Sequence, residues 1–390
     1  MTYDRHASSV TATATAPFRS HSVNRKAGIL AAVYIAVLAI NLDVTIVNVA
    51  LPSIGTELHA DTRGLQWVVD GYNLTFAALV LAAGSLSDRY GRRPAVIIGL
   101  LGFAATSAFG ALAASTGTLI AARFSMGMFA ALIFPTTLSI ITNTFSDRRQ
   151  RAMAFGGWGA VVGVGVAAGP VTGGLLLEHF SWTSVFWALT PPALLAAVLA
   201  YLLVPESRDP GVPALEIRGL ITSIAMLGIL VYTIIEAPAR GWHSHATVFG
   251  FVTTAALALA FVTIEQAAPH PMLDIRLFAD RRFSAASASV TVTFFCLAGF
   301  IFLITQYFQV LRGFSPLDTG LRVLPVALSI AIGSVCGGLL APRIGTRTVV
   351  VSGLISFGTA MAWIAASIDT DTPYPTIIVS QMLLMGLGIE

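Results

Sequence analysis

The chain has 390 residues, 56% hydrophobic and 11% charged, with a mean hydropathy of +0.81. Soluble domains carry about 25% charged residues, so composition excludes a water-soluble globule and makes the bilayer the solvent this sequence fits. The formal net charge of +3 does not imply a nucleic-acid partner, because the basic residues sort by position between apolar runs.

Residues 1–24, rich in Ser, Thr and Ala, read as a disordered cytoplasmic tail. A membrane span needs about 20 apolar residues. Twelve such runs are predicted, at 28–51, 65–83, 95–114, 118–142, 152–177, 182–203, 217–236, 246–265, 284–308, 320–341, 348–367 and 374–390. The first is too long for a signal-peptide core and no A-x-A site follows it, so it reads as an uncleaved span. With the N-terminus in the cytoplasm, one side collects Arg25 and Lys26, Arg89, Arg92 and Arg93, Arg148, Arg149 and Arg151, Arg208 and Arg218, Arg276, Arg281 and Arg282, and Arg343 and Arg347. The other side receives Arg63, Arg240 and Arg312. This is the asymmetry of the positive-inside rule. It predicts a multi-pass membrane protein with its N-terminus in the cytoplasm.

In the first span, Asn41, Thr45, Asn48 and Pro52 recur at helical spacing and share one stripe. Asp43 lies about 200° around from Asn41 and roughly 13 Å deep. A carboxylate at that depth is expensive unless paired, wet or protonated, which makes it a functional candidate. Arg123 and Asp70 each lie about 8 Å inside their spans. A buried guanidinium wants a carboxylate: Asp70 matches its depth, and Asp43 is about one turn deeper. A protonated carboxylate would release Arg123 and a deprotonated one would hold it. A static Asp70–Arg123 pair, or snorkelling of both, is the plainer reading.

The segment 84–93, GSLSDRYGRR, has a counterpart at 338–347, GLLAPRIGTR, sharing Gly84/Gly338, Leu86/Leu340, Arg89/Arg343, Gly91/Gly345 and Arg93/Arg347. Related halves of this kind are common in secondary transporters. Asp88 can cap the following helix or pair with Arg92, and the second copy carries Pro342 in its place. In span 5, Gly165, Gly169 and Gly173 recur every four residues and make a face for close packing. Pro170 removes a helical bond and should kink the helix.

Other polar residues carry less. Glu178, Glu236 and Glu265 at span ends should be wet, and Trp67, Trp182, Trp187 and Trp242 fit interfacial anchors. His59, His179, His243, His245 and His270 offer no i,i+4 pair for a metal. Cys296 and Cys336 fall in apolar runs, which argues against a disulfide framework. There is no phosphate-binding G-x-x-x-x-G-K-[ST] loop, and no nucleophile–base set within the spans suggests an enzyme.

Several segments together resemble the major facilitator superfamily, in its branch of fourteen-helix drug:proton antiporters. LDVTIVNVALP (42–52) resembles that branch's first-helix signature, and GSLSDRYGRR the loop motif between helices 2 and 3. RFSMGMFAA (123–131) resembles the helix-4 motif, with Met126 where Gln is usual. GVAAGPVTGG (165–174) resembles the helix-5 antiporter motif at every fixed position. PMLDIRLFADRRF (271–283) and QYFQVLRGFSPLDTGLRVLP (306–325) are also similar to this branch.

The resemblance implies an all-α, two-half bundle with an extra central helix pair. Twelve spans are present where about fourteen are expected, as in a C-terminally truncated member. The expected parts are a six-helix half at 25–204, the inserted pair at 205–270 and an incomplete C-terminal half at 271–390. Export of hydrophobic or cationic compounds in exchange for protons is implied, without a cofactor, by a monomer whose partners are small molecules, protons and lipid rather than nucleic acid. Asp43 and Arg123 would serve coupling or substrate recognition, and Asp70, from its depth beside Arg123, is a further candidate for the same role. Gly84, Asp88, Arg89, Gly91 and Arg92 would form a conformational latch, and Gly165, Gly169, Pro170, Gly173 and Gly174 the antiporter motif. Uptake or facilitated diffusion on the same scaffold, and a truncated non-transporting protein, are the alternatives.

Overall fold

Backbone groups in hydrocarbon must be satisfied within their own segment, so each long apolar run becomes a helix. The structure, a computed structural model, describes residues 19–209, 211, 216–269, 271, 273–369 and 372–388. Its helices are α1 (Arg19–Glu57), α2 (Thr62–Tyr90), α3 (Arg92–Ala111), α4 (Thr116–Thr144), α5 (Arg148–His179), α6 (Thr183–Leu203), α7 (Ile217–Arg240), α8 (His245–Ala267), α9 (Arg281–Gln306), α10 (Pro316–Ile344), α11 (Thr346–Ser367) and α12 (Val379–Leu387). Ten of these are long and apolar enough to cross a membrane. A 3₁₀ turn at Ile275–Ala279 precedes α9, and π-helical turns at Tyr307–Leu311 and Tyr374–Ile378 follow α9 and precede α12.

All twelve expected runs coincide with a helix, with displaced ends. α1 begins at Arg19, inside the expected tail, and continues past Pro52 to Glu57. Residues 1–18 of that tail, His270, and residues 389–390 of the expected last span lie outside the described residues. Short polar side chains start several helices: Asp61, Ser115, Asp147 and Ser244 each accept the backbone N–H three residues on, filling donors that a helix start leaves open. At Asp61 the Gly64 N–H, helped by Arg63, holds the carboxyl below the usual range.

Apolar burial forms two separate cores. One joins α1 to α6 through Ile46, Leu51, Leu100, Phe103, Leu119, Ile133 and Leu189. The other joins α9 to α12 through Phe300, Ile304, Phe308, Met382 and Met385. This is a two-half bundle with α7 and α8 between: α7 packs on α8 and on α2. At the arginine-poor end, Arg63 of α2 reaches Glu236 of α7 at 3.3 Å, and Trp67 meets Tyr232 with ring centroids 6.3 Å apart.

Three expectations change here. Glu265 is only 2% exposed: it packs at the start of α7 and accepts the Leu273 N–H at 3.0 Å, so it is not wet. Glu236 is largely covered by its two arginines, Arg63 and Arg240. Trp182 is buried against Phe186 rather than anchored at the interface, because it stands at the start of α6 inside the first core.

Candidate functional site

The i,i+4 pair Val68 and Tyr72 turns one face of α2 toward α4, and Arg123 of α4 enters between that face and α1. Its Nη1 donates to both oxygens of Asp43, at 2.7 and 2.8 Å, and its Nε donates to the Val68 carbonyl at 2.8 Å. The guanidinium carbon lies 4.5 Å from the Tyr72 ring centroid, a cation–π contact. Met126, standing where the helix-4 motif usually has Gln, places its sulfur 3.9 Å from Nη1. Asp43 and Arg123 are 0% and 1% exposed. One carboxylate and one guanidinium are therefore sealed together, and removing either partner would strand a buried charge.

Of the two carboxylates that depth allowed, Asp43 takes the guanidinium. Asp70 lies two residues before Tyr72, on the opposite side of α2, half-buried and in no ion pair among the described residues. Tyr72 was not singled out from the sequence. Its ring covers Arg123 while its hydroxyl is buried without a partner. Nothing in the sequence marked it, since only the structure shows which face of α2 meets α4.

The opposite side of α1 meets the glycines of α5. α5 is one unbroken helix through Pro170. A Cβ on Gly165 would come within 2.8 Å of the Asn41 Cβ, one on Gly169 would overlap the Thr45 side chain, and one on Gly173 would lie 3.0 Å from Ile46. Gly174 faces elsewhere: a Cβ there would come within 2.8 Å of the Leu317 nitrogen and the Pro316 carbonyl of α10. A Cβ on Gly320 of α10 would overlap the Pro170 carbonyl. The glycine segment thus joins α5 to α1 on one face and to the second half on another. Below this contact, a small apolar cleft lies between the halves, lined by Thr45, Val166, Pro170, Ile301, Val323 and Ala327 among others.

In the 84–93 segment, Arg92 Nε donates to Asp88 at 2.7 Å, and Gly84 packs on Pro135 of α4. Gly91 turns the chain at φ +126°, and its repeat partner Gly345 does so at +87°, in a region L side chains rarely adopt. Arg89 lies over the ring of its neighbour Tyr90. The chain after α6 folds back onto this segment: Arg92 N–H donates to the Ser207 carbonyl at 2.9 Å, and Asp209 N–H to the Asp88 carbonyl at 2.7 Å. No three His, Cys, Asp or Glu converge to hold a metal among the described residues.

This geometry accompanies clear similarities to known proteins. The chain is 34% identical over 360 residues to the multidrug resistance protein Stp of Mycobacterium tuberculosis, a match that takes in 92% of this chain and 66% of Stp. It is 36% identical over 361 residues to the multidrug efflux pump LfrA of Mycolicibacterium smegmatis, across 93% of this chain and 71% of LfrA. The chain therefore spans about two thirds of the length of these curated relatives. Its fold matches the crystal structure of the peptide transporter POT at a TM-score of 0.66, with 16% identity, covering 96% of this chain and 81% of that one. The family model of the Major Facilitator Superfamily matches residues 33–389, and the chain belongs to that superfamily.

Proposed function

We propose that the protein exports hydrophobic, often cationic, drug-like compounds across the cytoplasmic membrane in exchange for protons. The observation that carries this reading is the sealed Asp43–Arg123 pair. A proton on Asp43 cancels the charge that holds Nη1, and its loss restores the pair, so the contact between α1 and α4 follows protonation. One charge crossing 100 mV supplies about 2.3 kcal/mol toward such a cycle. Asp70, half-buried on the other side of α2, serves proton entry or the charge of a cationic substrate. The names of Stp and LfrA, a multidrug resistance protein and an efflux pump, support the substrate class and direction.

The functional parts follow the expected division, with a half at 25–204, an inserted pair at 205–270 and a second half from 271. Asp88, Arg89 and Arg92, between Gly84 and Gly91, form a latch at the cytoplasmic end, and the α5 segment seals the halves at the other. The N-terminus lies in the cytoplasm and a single copy carries out the cycle. The test is dye movement into inverted vesicles driven by an imposed pH gradient. Wild-type protein should accumulate ethidium when the vesicle interior is acidified, and Asp43→Asn should lose the response to the gradient. Gradient-driven accumulation by Asp43→Asn at the wild-type rate would overturn the coupling role.

A further inference from the structure

The two halves meet toward the arginine-poor end. At the glycine seam, α5 and α10 touch by van der Waals contact. A second contact joins α9 to α1: Phe302 packs against the first core, and the half-buried Gln309 side-chain amide donates to the Val49 carbonyl at 3.1 Å. This bond is a polar tie between the halves, and it stands beside the seam, three residues before Arg312.

Each partner of the bond is held ready by its own half. Gln309 lies in the π-helical turn Tyr307–Leu311, and such turns recur at functional sites. Tyr307 and Phe308 bury that turn in the second core. The Tyr307 hydroxyl donates to the Asp369 carbonyl at 2.6 Å, and Arg312 Nη1 donates to the Thr372 carbonyl at 3.0 Å. The turn is thus fixed to the second half. Its last two members, Val310 and Leu311, are exposed, whereas Gln309 reaches across to α1. Val49 stands in the α1 turn that Pro52 leaves one helical bond short, inside a helix held by α5 and α6. A bond strung between two such frames persists while the halves stay together and is lost whole when they part. An amide-to-carbonyl bond contributes modestly once the water bonds it replaces are counted, so it can hold an end shut without locking it.

We propose that Gln309 is the bolt of the arginine-poor end: its bond to Val49 holds α9 on α1 while that end is shut, and it must break for that end to open. The inference rests on the reading that two halves rock about a central site, and it holds for transport in either direction. It adds to that reading the side chain that sets how often the end opens.

The test measures a distance across that end by double electron–electron resonance, on the purified full chain in lipid nanodiscs. With Cys296 and Cys336 replaced by Ser, nitroxides are placed through His179→Cys at the end of α5 and Ala366→Cys near the end of α11, both exposed positions. Gln309→Met, similar in length and without the donor, should raise the ratio of the longer to the shorter distance about fivefold. Val310→Ala, at the exposed neighbour in the same turn, should leave the ratio as it is. A ratio that Gln309→Met does not move, or that Val310→Ala moves equally, would overturn the proposal. The expected shift in a protein whose wild type shows no gradient-driven dye accumulation in vesicles would leave the bolt in place and overturn the export reading instead.

Discussion

The Val68 carbonyl and the Tyr72 ring bind Arg123 independently of the charge on Asp43, so α2 should retain the guanidinium when Asp43 is neutralised. Tyr72→Phe preserves the ring and removes a hydroxyl that has no partner, and should leave thermal unfolding of the purified protein unchanged or slightly raised. Tyr72→Leu removes the ring and should cost about 1–2 kcal/mol, the worth of a desolvated cation–π contact. Equal losses in the two variants would show that the hydroxyl matters after all. Asp43 and Arg123 were legible in the sequence because a charge inside an apolar run is an anomaly. Their pairing was not. Counting residues gives depth along a helix, whereas choosing Asp43 over Asp70 depends on how α1 and α2 are rotated against α4. Tyr72 escaped notice because tyrosine is unremarkable in a span until a cation is found on its face.

The elements were more legible than their ends. Hydrophobic run length found every helix, but span 1 was expected to stop at residue 51, whereas α1 carries Pro52 and five further residues to Glu57. A proline breaks a helix only where its lost bond is not offset by packing, and here α1 is held along its length by α5 and α6. The four-residue glycine spacing of α5 announced a close contact without naming the partner. That partner is α1, and the contact gives a paired prediction. Gly169→Ala drives a methyl into the Thr45 side chain, whereas a Cβ at Gly163, about 1.7 turns earlier, meets nothing within 4 Å. The first variant should lose about 1–3 kcal/mol of packing and most dye efflux at equal membrane abundance; Gly163→Ala should match wild type in both. Full efflux by Gly169→Ala would mean that α1 and α5 separate readily.

For the whole molecule, the repeat of 84–93 at 338–347 foretold two related halves, and the positive φ at both Gly91 and Gly345 is its imprint on the backbone. Contacts between distant elements, α5 with α10 and α2 with α7, could not be foretold, since they depend on how rigid helices settle rather than on any local pattern. Orientation is the global property the arginine sorting predicts, and two exposed loop positions test it. With Cys296 and Cys336 replaced by Ser, Ser146→Cys should react with a membrane-impermeant maleimide only in inverted vesicles, and His243→Cys only in intact cells. Labelling from the reverse sides would invert the topology and with it the assigned direction of export.

At Gly174 and Gly320 the two halves meet main chain to main chain: each glycine abuts backbone atoms of the opposite helix. A surface made of peptide groups offers selection almost nothing to adjust. Substitutions there are all-or-none, since any side chain is an obstruction. The aliphatic lining of the adjacent cleft, by contrast, can be exchanged one methylene at a time. Adaptive variation therefore has its room in the cleft, and the seam above it has none.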